Sequence, residues 1–200
     1  LTAERLKREE KYNKPLKEQL ETIGMKDQML RRLIEDVETK FGRDSDEMEY
    51  FWSLMNQQDS INEIAVTQIL DKHGWVGISE VGGNANRSLW LVIQHAPQEV
   101  QEKYVPLLRE SVKKKESKGS HLALTEDRIL MRQGKKQIYG SQVRRDDDDE
   151  KFYLYPVEDP HTLNERRAEL GMSPIEEYIG RWNIEWDADD MAKQEVKERK

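Results

Sequence analysis

The chain has 200 residues, of which 36% are charged and 36% hydrophobic, and its formal net charge is −7. This length fits one domain, and five Trp with seven Tyr exclude a wholly disordered chain. The acidic balance argues against a general nucleic-acid-binding protein, because such proteins neutralise phosphates with Lys and Arg. The sequence contains no cysteine, which excludes disulfides, thiolate–zinc sites and cysteine nucleophiles.

The two ends of the chain are charged and poor in apolar residues. We expect residues 1–14 to form a charged N-terminal tether and residues 181–200 a charged C-terminal tail, on either side of a single helical domain over residues 15–180. Because a polar leader follows Leu1, which stands where Met would start a chain, we expect an extracytoplasmic location after removal of an export signal, with a cytoplasmic location as the alternative. No stretch approaches the roughly 20 apolar residues of a membrane span, which predicts no transmembrane segment.

Apolar residues recur at three- and four-residue steps in the first part of the chain, the pattern of amphipathic helices. Residues 16–41 are predicted to be helical, with a break at Gly24. A second long helix is predicted to begin after a cap at Asp44 or Ser45 and to stop at Gly74. We expect these two segments to pack as antiparallel helices.

The middle of the chain combines a glycine-containing connection with further helices. Residues 75–86 are predicted to form that connection. The run 89–93 is apolar on every side, and we assign it to a buried helix rather than a buried strand because helical segments flank it. Amphipathic helices are predicted for residues 98–115 and from Ser120 to Arg132.

A change of pattern after Gly134 predicts a small two-stranded β-hairpin near residues 136–156. Short strands are expected at residues 137–143 and 152–155, with the acidic run 146–150 as a solvated turn. Calcium binding by that run is the less favoured interpretation, because it lacks the alternating ligand spacing of an EF-hand loop. Two short helices are predicted to follow. The fold class is therefore mainly α: a compact helical domain with one small hairpin.

Histidine is the natural candidate for a general base, because its side chain titrates near neutral pH. His95 and His121 are the two candidates, and a histidine satisfied within the core is the more common alternative for each. If the segment around His121 is helical, His121, Thr125 and Arg128 share one face. Together with the adjacent Asp127, this catalytic set could stabilise an anionic group, or it could tie the helix to its neighbours through ion pairs.

Amide and phenol side chains are the candidates for substrate binding. Gln137 and Tyr139 would share one face of the first predicted strand, and Gln142 would lie on the other. These groups could bind polar parts of a ligand, or they could satisfy a sheet edge. Gln94, which directly precedes one of the candidate histidines, completes the set.

Neither a metal site nor a cofactor is predicted. No pair of histidines has the spacing of an HExxH motif. The glycine-containing loop 82–87 could hold an anion through its backbone amides at a helix start, but it matches no phosphate-loop pattern and a plain turn is favoured. The expected partner is a small molecule rather than a nucleic acid, and the sequence leaves the oligomeric state open.

A series of short motifs runs through residues 25–178. Its members are His73–Trp75, Gln94–Ala96, His121–Leu124 with Asp127–Arg128, Gln137–Gln142, Pro156–Pro160, Asn164–Arg167 and Leu170–Gly171, and earlier Asp27–Gln28 with Arg31 or Arg32 and Asp59 with Asn62. In this order they resemble an uncharacterised bacterial family that is known only as a domain of unknown function. Ser141 stands where Thr is usual, and the hairpin tip is unusually acidic. The resemblance implies no agreed reaction, and it places the candidate residues above in motifs, but not clearly His161.

Two functions fit these observations. The first is a hydrolase or transferase acting on a small polar or anionic substrate, with His95 or His121 as the general base, Arg128 as the charge stabiliser and the amide and phenol set as the substrate-binding groups. The alternative is a non-catalytic helical binding module whose polar motifs lock its core. The enzyme hypothesis predicts that His95, His121, Arg128 and Gln142 converge on an open cleft.

Overall fold

The computed structural model describes residues 9–145 and 151–196, and this part of the chain is mainly helical with one two-stranded sheet. The predicted fold class is confirmed. None of the described helices is long and apolar enough to cross a bilayer, in agreement with the prediction. The elements are α1 (Lys14–Arg31), α2 (Ile34–Phe41), α3 (Asp46–His73), α4 (Ile78–His95), α5 (Gln98–Lys113), α6 (Gly119–Arg132), β1 (Val143–Arg145), β2 (Phe152–Leu154), a 3-10 turn (Pro160–Thr162), α7 (Leu163–Glu169), α8 (Ile175–Gly180) and α9 (Ala188–Ala192).

Residue contacts divide the chain into two compact units, a first unit that ends at Ser117 and a second unit that begins at Lys118. Each unit has its own buried apolar cluster. The prediction of one helical domain flanked by a tether and a tail stays a prediction. Within the predicted tail, the described residues include α9, whose Met191 is buried in the apolar cluster of the second unit.

Polar caps set the ends of the long helices in the first unit. The Asn13 side chain accepts a hydrogen bond from the backbone N–H of Leu16 at 3.3 Å and so caps α1. The Ser45 hydroxyl does the same for α3, accepting from the N–H of Met48 at 3.1 Å. Gly74 ends α3 with φ of +70°, a conformation that glycine adopts without steric cost. The predicted boundaries of α3 are therefore confirmed.

The predicted helix break at Gly24 is wrong, because α1 continues through this residue to Arg31. Gly24 is buried where α1 packs on α4, and a Cβ atom added there would collide with the side chain of Ser88. The glycine thus allows two helices to approach closely rather than ending one of them. The actual interruption comes after Arg31, before α2 begins at Ile34.

The predicted connection over residues 75–86 is wrong from Ile78 onward, where α4 begins. Gly82 has non-helical angles (φ +82°) and kinks α4, but the glycine-containing segment lies within this helix rather than in a loop before it. Arg87 is therefore a helical residue. The apolar run 89–93 lies in α4, as predicted, and it is buried because α4 packs against α1 and α3.

The hairpin of the second unit is shorter than predicted. Strands β1 and β2 pair antiparallel with Val143 opposite Leu154. The prediction of a strand over residues 137–142 is wrong, since these residues form no strand and only Gln137 makes a bridge, to Val157. The acidic run 146–150, predicted to be the tip, lies outside the described residues.

Candidate functional site

A buried carboxylate on α1 meets a histidine at the end of α4. Asp27 is 1% exposed, and its Oδ1 lies 3.0 Å from Nδ1 of His95, 68 positions away in the sequence. The two helices run in the same direction, because Gly24 lies against Ser88 and Asp27 lies farther along α1 against a residue farther along α4. Their C-terminal ends therefore come together and form the pair.

Two more side chains of α1 complete the surroundings of the carboxylate. The Gln28 amide donates to Oδ2 of Asp27 at 2.7 Å. One turn after Asp27, the guanidinium of Arg31 donates to the Asp27 carbonyl at 2.9 Å and makes two hydrogen bonds, of 2.8 and 2.7 Å, to the carboxylate of Asp59 on α3. This two-point contact fixes the guanidinium plane. Three helices thus contribute to one polar cluster, which we call the Asp27 cluster.

Asn62 adds a buried amide to α3, three residues after Asp59 and hence on the same helix face. Its Oδ1 accepts a hydrogen bond from Gln58 at 2.9 Å. Its Nδ2 is buried and has no hydrogen-bond partner within residues 9–145 and 151–196. A buried donor without an acceptor is costly and uncommon in folded proteins.

The electrostatics of the Asp27 cluster determine which nitrogen of the imidazole carries the proton. Burial raises the pKa of Asp27, but hydrogen bonds from His95 and Gln28 and the nearby charges outweigh burial and leave that pKa below its ordinary value. Burial lowers the pKa of Arg31, but its bonds and attraction to Asp59 and Asp27 raise it overall. The carboxylate is therefore ionised at neutral pH and can only accept. Nδ1 of His95 must then be the donor, which leaves the lone pair of the neutral ring on Nε2.

The candidate residues of the second unit are arranged around a loop. Asp127 on α6 is 0% exposed, and its two oxygens accept backbone N–H groups from Ile138, Tyr139 and Ser141 at 2.7–3.2 Å. Burial raises the pKa of Asp127, and these backbone donors act in the opposite direction. The carboxylate thus holds the loop that precedes β1.

The side-chain amide of Gln137 also makes hydrogen bonds to backbone groups, through both its nitrogen and its oxygen. Its nitrogen donates to the carbonyls of Tyr155 at 2.6 Å and Gln142 at 3.2 Å, and its oxygen accepts the N–H of Gln142 at 2.8 Å. From the other side of the loop, the buried guanidinium of Arg167 donates to the carbonyl of Tyr139 at 2.6 Å. The two ends of this segment also make backbone hydrogen bonds to Tyr155, Pro156 and Glu158, and the side chains hold the backbone between them. We call this arrangement the Asp127 cluster.

The remaining candidate residues are divided between the two units, with Gln94 in the first unit and the others in the second. His121 is 5% exposed in the first turn of α6, and Arg128 on the same helix is half-buried. Tyr139 is half-buried in the loop. Gln94 is buried beside His95, and its carbonyl accepts from the Gln101 amide at 2.8 Å. Because the first unit holds one candidate histidine and the second unit the other, their predicted convergence on one cleft stays a prediction.

Sequence reasoning did not name Asp27, Arg31 or Asp59 as site residues, although all three fall in the motifs that carried the family resemblance. One local signal was present, since Asp27 and Arg31 stand four residues apart, the spacing of neighbours on a helix face. No local signal joined either of them to His95. Among the described residues, no group of three or more His, Cys, Asp or Glu side chains is placed to hold a metal ion.

Comparison with known proteins gives a family but no characterised relative. The model of a family of unknown function, DUF6624, matches residues 15–189. This match confirms the resemblance to an uncharacterised family. No curated protein and no solved structure matches the chain.

Proposed function

Because the chain belongs to the DUF6624 family, whose function is unknown, we propose a function from its own geometry: a hydrolase or transferase that acts on a small polar or anionic substrate with His95 as the general base. The observation that carries the proposal is the hydrogen bond between a buried, ionised Asp27 and Nδ1 of His95. An oriented imidazole beside a carboxylate is the arrangement that activates water and hydroxyl nucleophiles in many enzymes.

The proposed step is an attack by water or a substrate hydroxyl. Nε2 of His95 takes the proton from the nucleophile as the nucleophile oxygen forms its bond to the electrophilic carbon or phosphorus. The bond to the leaving group then breaks, and the imidazolium returns the proton to that group. Asp27 orients the ring and stabilises the positive charge that the ring carries between the two transfers.

His95 is preferred to His121 as the base because a base must reach the substrate. The His95 side chain is 20% exposed, whereas His121 is 5% exposed as a whole residue. Nε2 of His95 has no hydrogen-bond partner in the part of the chain that the structure describes. The ring therefore presents its lone pair to solvent while its other nitrogen is held.

The test is a substrate screen followed by substitution at His95. We expect the purified chain to hydrolyse at least one member of a panel of chromogenic phosphate and carboxylate esters. His95→Gln should lower kcat by about 10²–10⁴-fold, the usual contribution of a general base. His73→Gln is the matched control, since His73 is an exposed histidine of the same unit outside the cluster. Wild-type activity in His95→Gln would contradict the proposal, as would no turnover of any ester.

The binding-module alternative draws its support from the second unit. Asp127 and Gln137 both direct their polar atoms at backbone groups, which is a structural use of these motif residues. Under this alternative, substitutions in either polar cluster lower the melting temperature and leave no activity to lose. The ester panel separates the two functions, because only the enzyme proposal predicts turnover that depends on His95.

A further inference from the structure

A cleft of about 290 Å³ lies along the seam between α1 and α4. Gly24 and Ser88, which lie against each other, are among its lining residues. Its walls carry the polar side chains of Gln28 from α1, of Arg32 directly after α1, and of Asn84 and Arg87 from α4. Two guanidinium groups and two amides therefore surround a space large enough for a small ligand group.

The cleft is positively charged although the whole chain carries a net charge of −7. Arg32 and Arg87 both line it, and neither guanidinium is paired with a carboxylate within residues 9–145 and 151–196. Glu21 is the acidic residue of the lining, and it is already paired with Lys17 at 2.7 Å. Both arginines are solvent-exposed, and an anion bound between them would be attracted to each guanidinium.

The cleft adjoins the proposed base. Gln28 lines it and also donates to Oδ2 of Asp27 at 2.7 Å. On the opposite wall, Leu91 lines the cleft one helical turn before His95, and residues four apart share a face and lie about 6 Å apart along the axis. A ligand held in the cleft would thus extend toward the imidazole.

We propose that this cleft binds an oxyanion group, phosphate or carboxylate, of the substrate, with Arg32 and Arg87 as the charged ligands and Gln28 and Asn84 as hydrogen-bonding groups. Guanidinium groups suit this role because their paired N–H donors match the geometry of phosphate and carboxylate oxygens. The inference rests on the proposed function for the identity of the anion as part of a substrate. The binding itself can be measured without catalysis.

The experiment is an NMR titration of the ¹⁵N-labelled full chain with sodium phosphate and, separately, with sodium acetate, at an ionic strength held constant with sodium chloride. We expect saturable shifts of the backbone amides of the four cleft residues with at least one anion, and the anion that binds more tightly identifies the group. Arg32→Gln and Arg87→Gln should each weaken binding about tenfold, the loss expected for one charge-assisted contact. Lys72→Gln removes one exposed charge from α3 and should leave binding unchanged.

The outcomes separate this inference from the proposed function. His95→Gln should bind the anion as the wild type does, since this residue lies outside the cleft lining. If neither anion shifts the cleft amides, or if Arg32→Gln and Arg87→Gln both bind as tightly as the wild type, the cleft proposal is wrong, whatever the ester panel shows. If the anion binds as expected but His95→Gln retains full activity, the general-base proposal is wrong and the proposal of an anion-binding cleft stands.

Discussion

The Asp27 cluster of the first unit and the Asp127 cluster of the second unit each contain a buried aspartate, but their partners differ in kind. Asp27 accepts from the side chains of His95 and Gln28. Asp127 accepts from three backbone N–H groups of one loop. One carboxylate thus orients a partly exposed imidazole, and the other fixes the path of the chain.

This difference determines how each cluster responds when its aspartate is substituted. A backbone N–H keeps its position and its proton, so only an acceptor can face it. A glutamine amide can rotate by half a turn, and an imidazole can move its proton to the other nitrogen. Both side chains can therefore present an acceptor if the aspartate is replaced by a residue that donates. We therefore expect the Asp127 cluster to matter most for stability and the Asp27 cluster most for activity.

The largest expected effect is that of Asp127→Asn on stability. Both oxygens of Asp127 accept from the backbone, so the amide of Asn places a donor against a donor in either orientation. We expect the free energy of unfolding to fall by about 3–5 kcal/mol, since each unsatisfied buried donor costs about 1–3 kcal/mol. Urea unfolding followed by circular dichroism measures the change. A loss below about 1 kcal/mol would remove the distinction between the clusters.

Periodicity was sufficient to predict the long helices, since the apolar stripe and the cap at Ser45 both act within a few residues. It failed at Gly24, where a glycine that usually weakens a helix instead permits contact with Ser88, a residue far along the chain. It failed again at residues 137–142, whose alternating pattern suggested a strand. The backbone of these residues is held by Asp127 and Arg167, and a pattern of neighbours cannot reveal such partners.

The candidate site was predicted only in part for the same reason. His95 could be named from its own chemistry, because an imidazole is a natural base at neutral pH. The proposal that His95 acts as the base rests on Asp27, which is distant in sequence and becomes a partner only when α1 and α4 pack side by side. Single-residue chemistry is visible in a sequence, whereas the pairing that tunes it is a property of the packed helices.

A smaller effect is expected for Asp27→Asn. The Asn oxygen can still accept from Gln28, and its amide can donate to Nδ1 of His95 once the ring proton moves to Nε2. We expect the free energy of unfolding to fall by about 1–2 kcal/mol, mainly through the lost attraction to Arg31. Any ester hydrolysis should fall by about 10²–10⁴-fold, because the lone pair now faces inward. The same urea and ester assays measure both quantities. A large loss of stability with unchanged activity would reverse the roles of the two clusters.

The smallest expected effect is on the pH dependence of stability. Acid should change the stability loss of Asp27→Asn and that of Asp127→Asn in opposite directions. The pKa of Asp27 is lowered in the folded chain, so its contribution to stability is present above its ordinary value of 3.8 and is lost as pH falls through the folded value. The pKa of Asp127 is raised, so its contribution is full below its ordinary value of 3.8 and is lost as pH rises through the folded value. Between about pH 7 and pH 3, the stability gap between wild type and Asp27→Asn should therefore narrow, while the gap for Asp127→Asn should widen. Urea unfolding at a series of pH values measures both gaps. If the two stability gaps change in the same direction with pH, folding shifts the pKa of both carboxylates in the same direction. The distinction between a chemical Asp27 cluster and a structural Asp127 cluster would then be wrong.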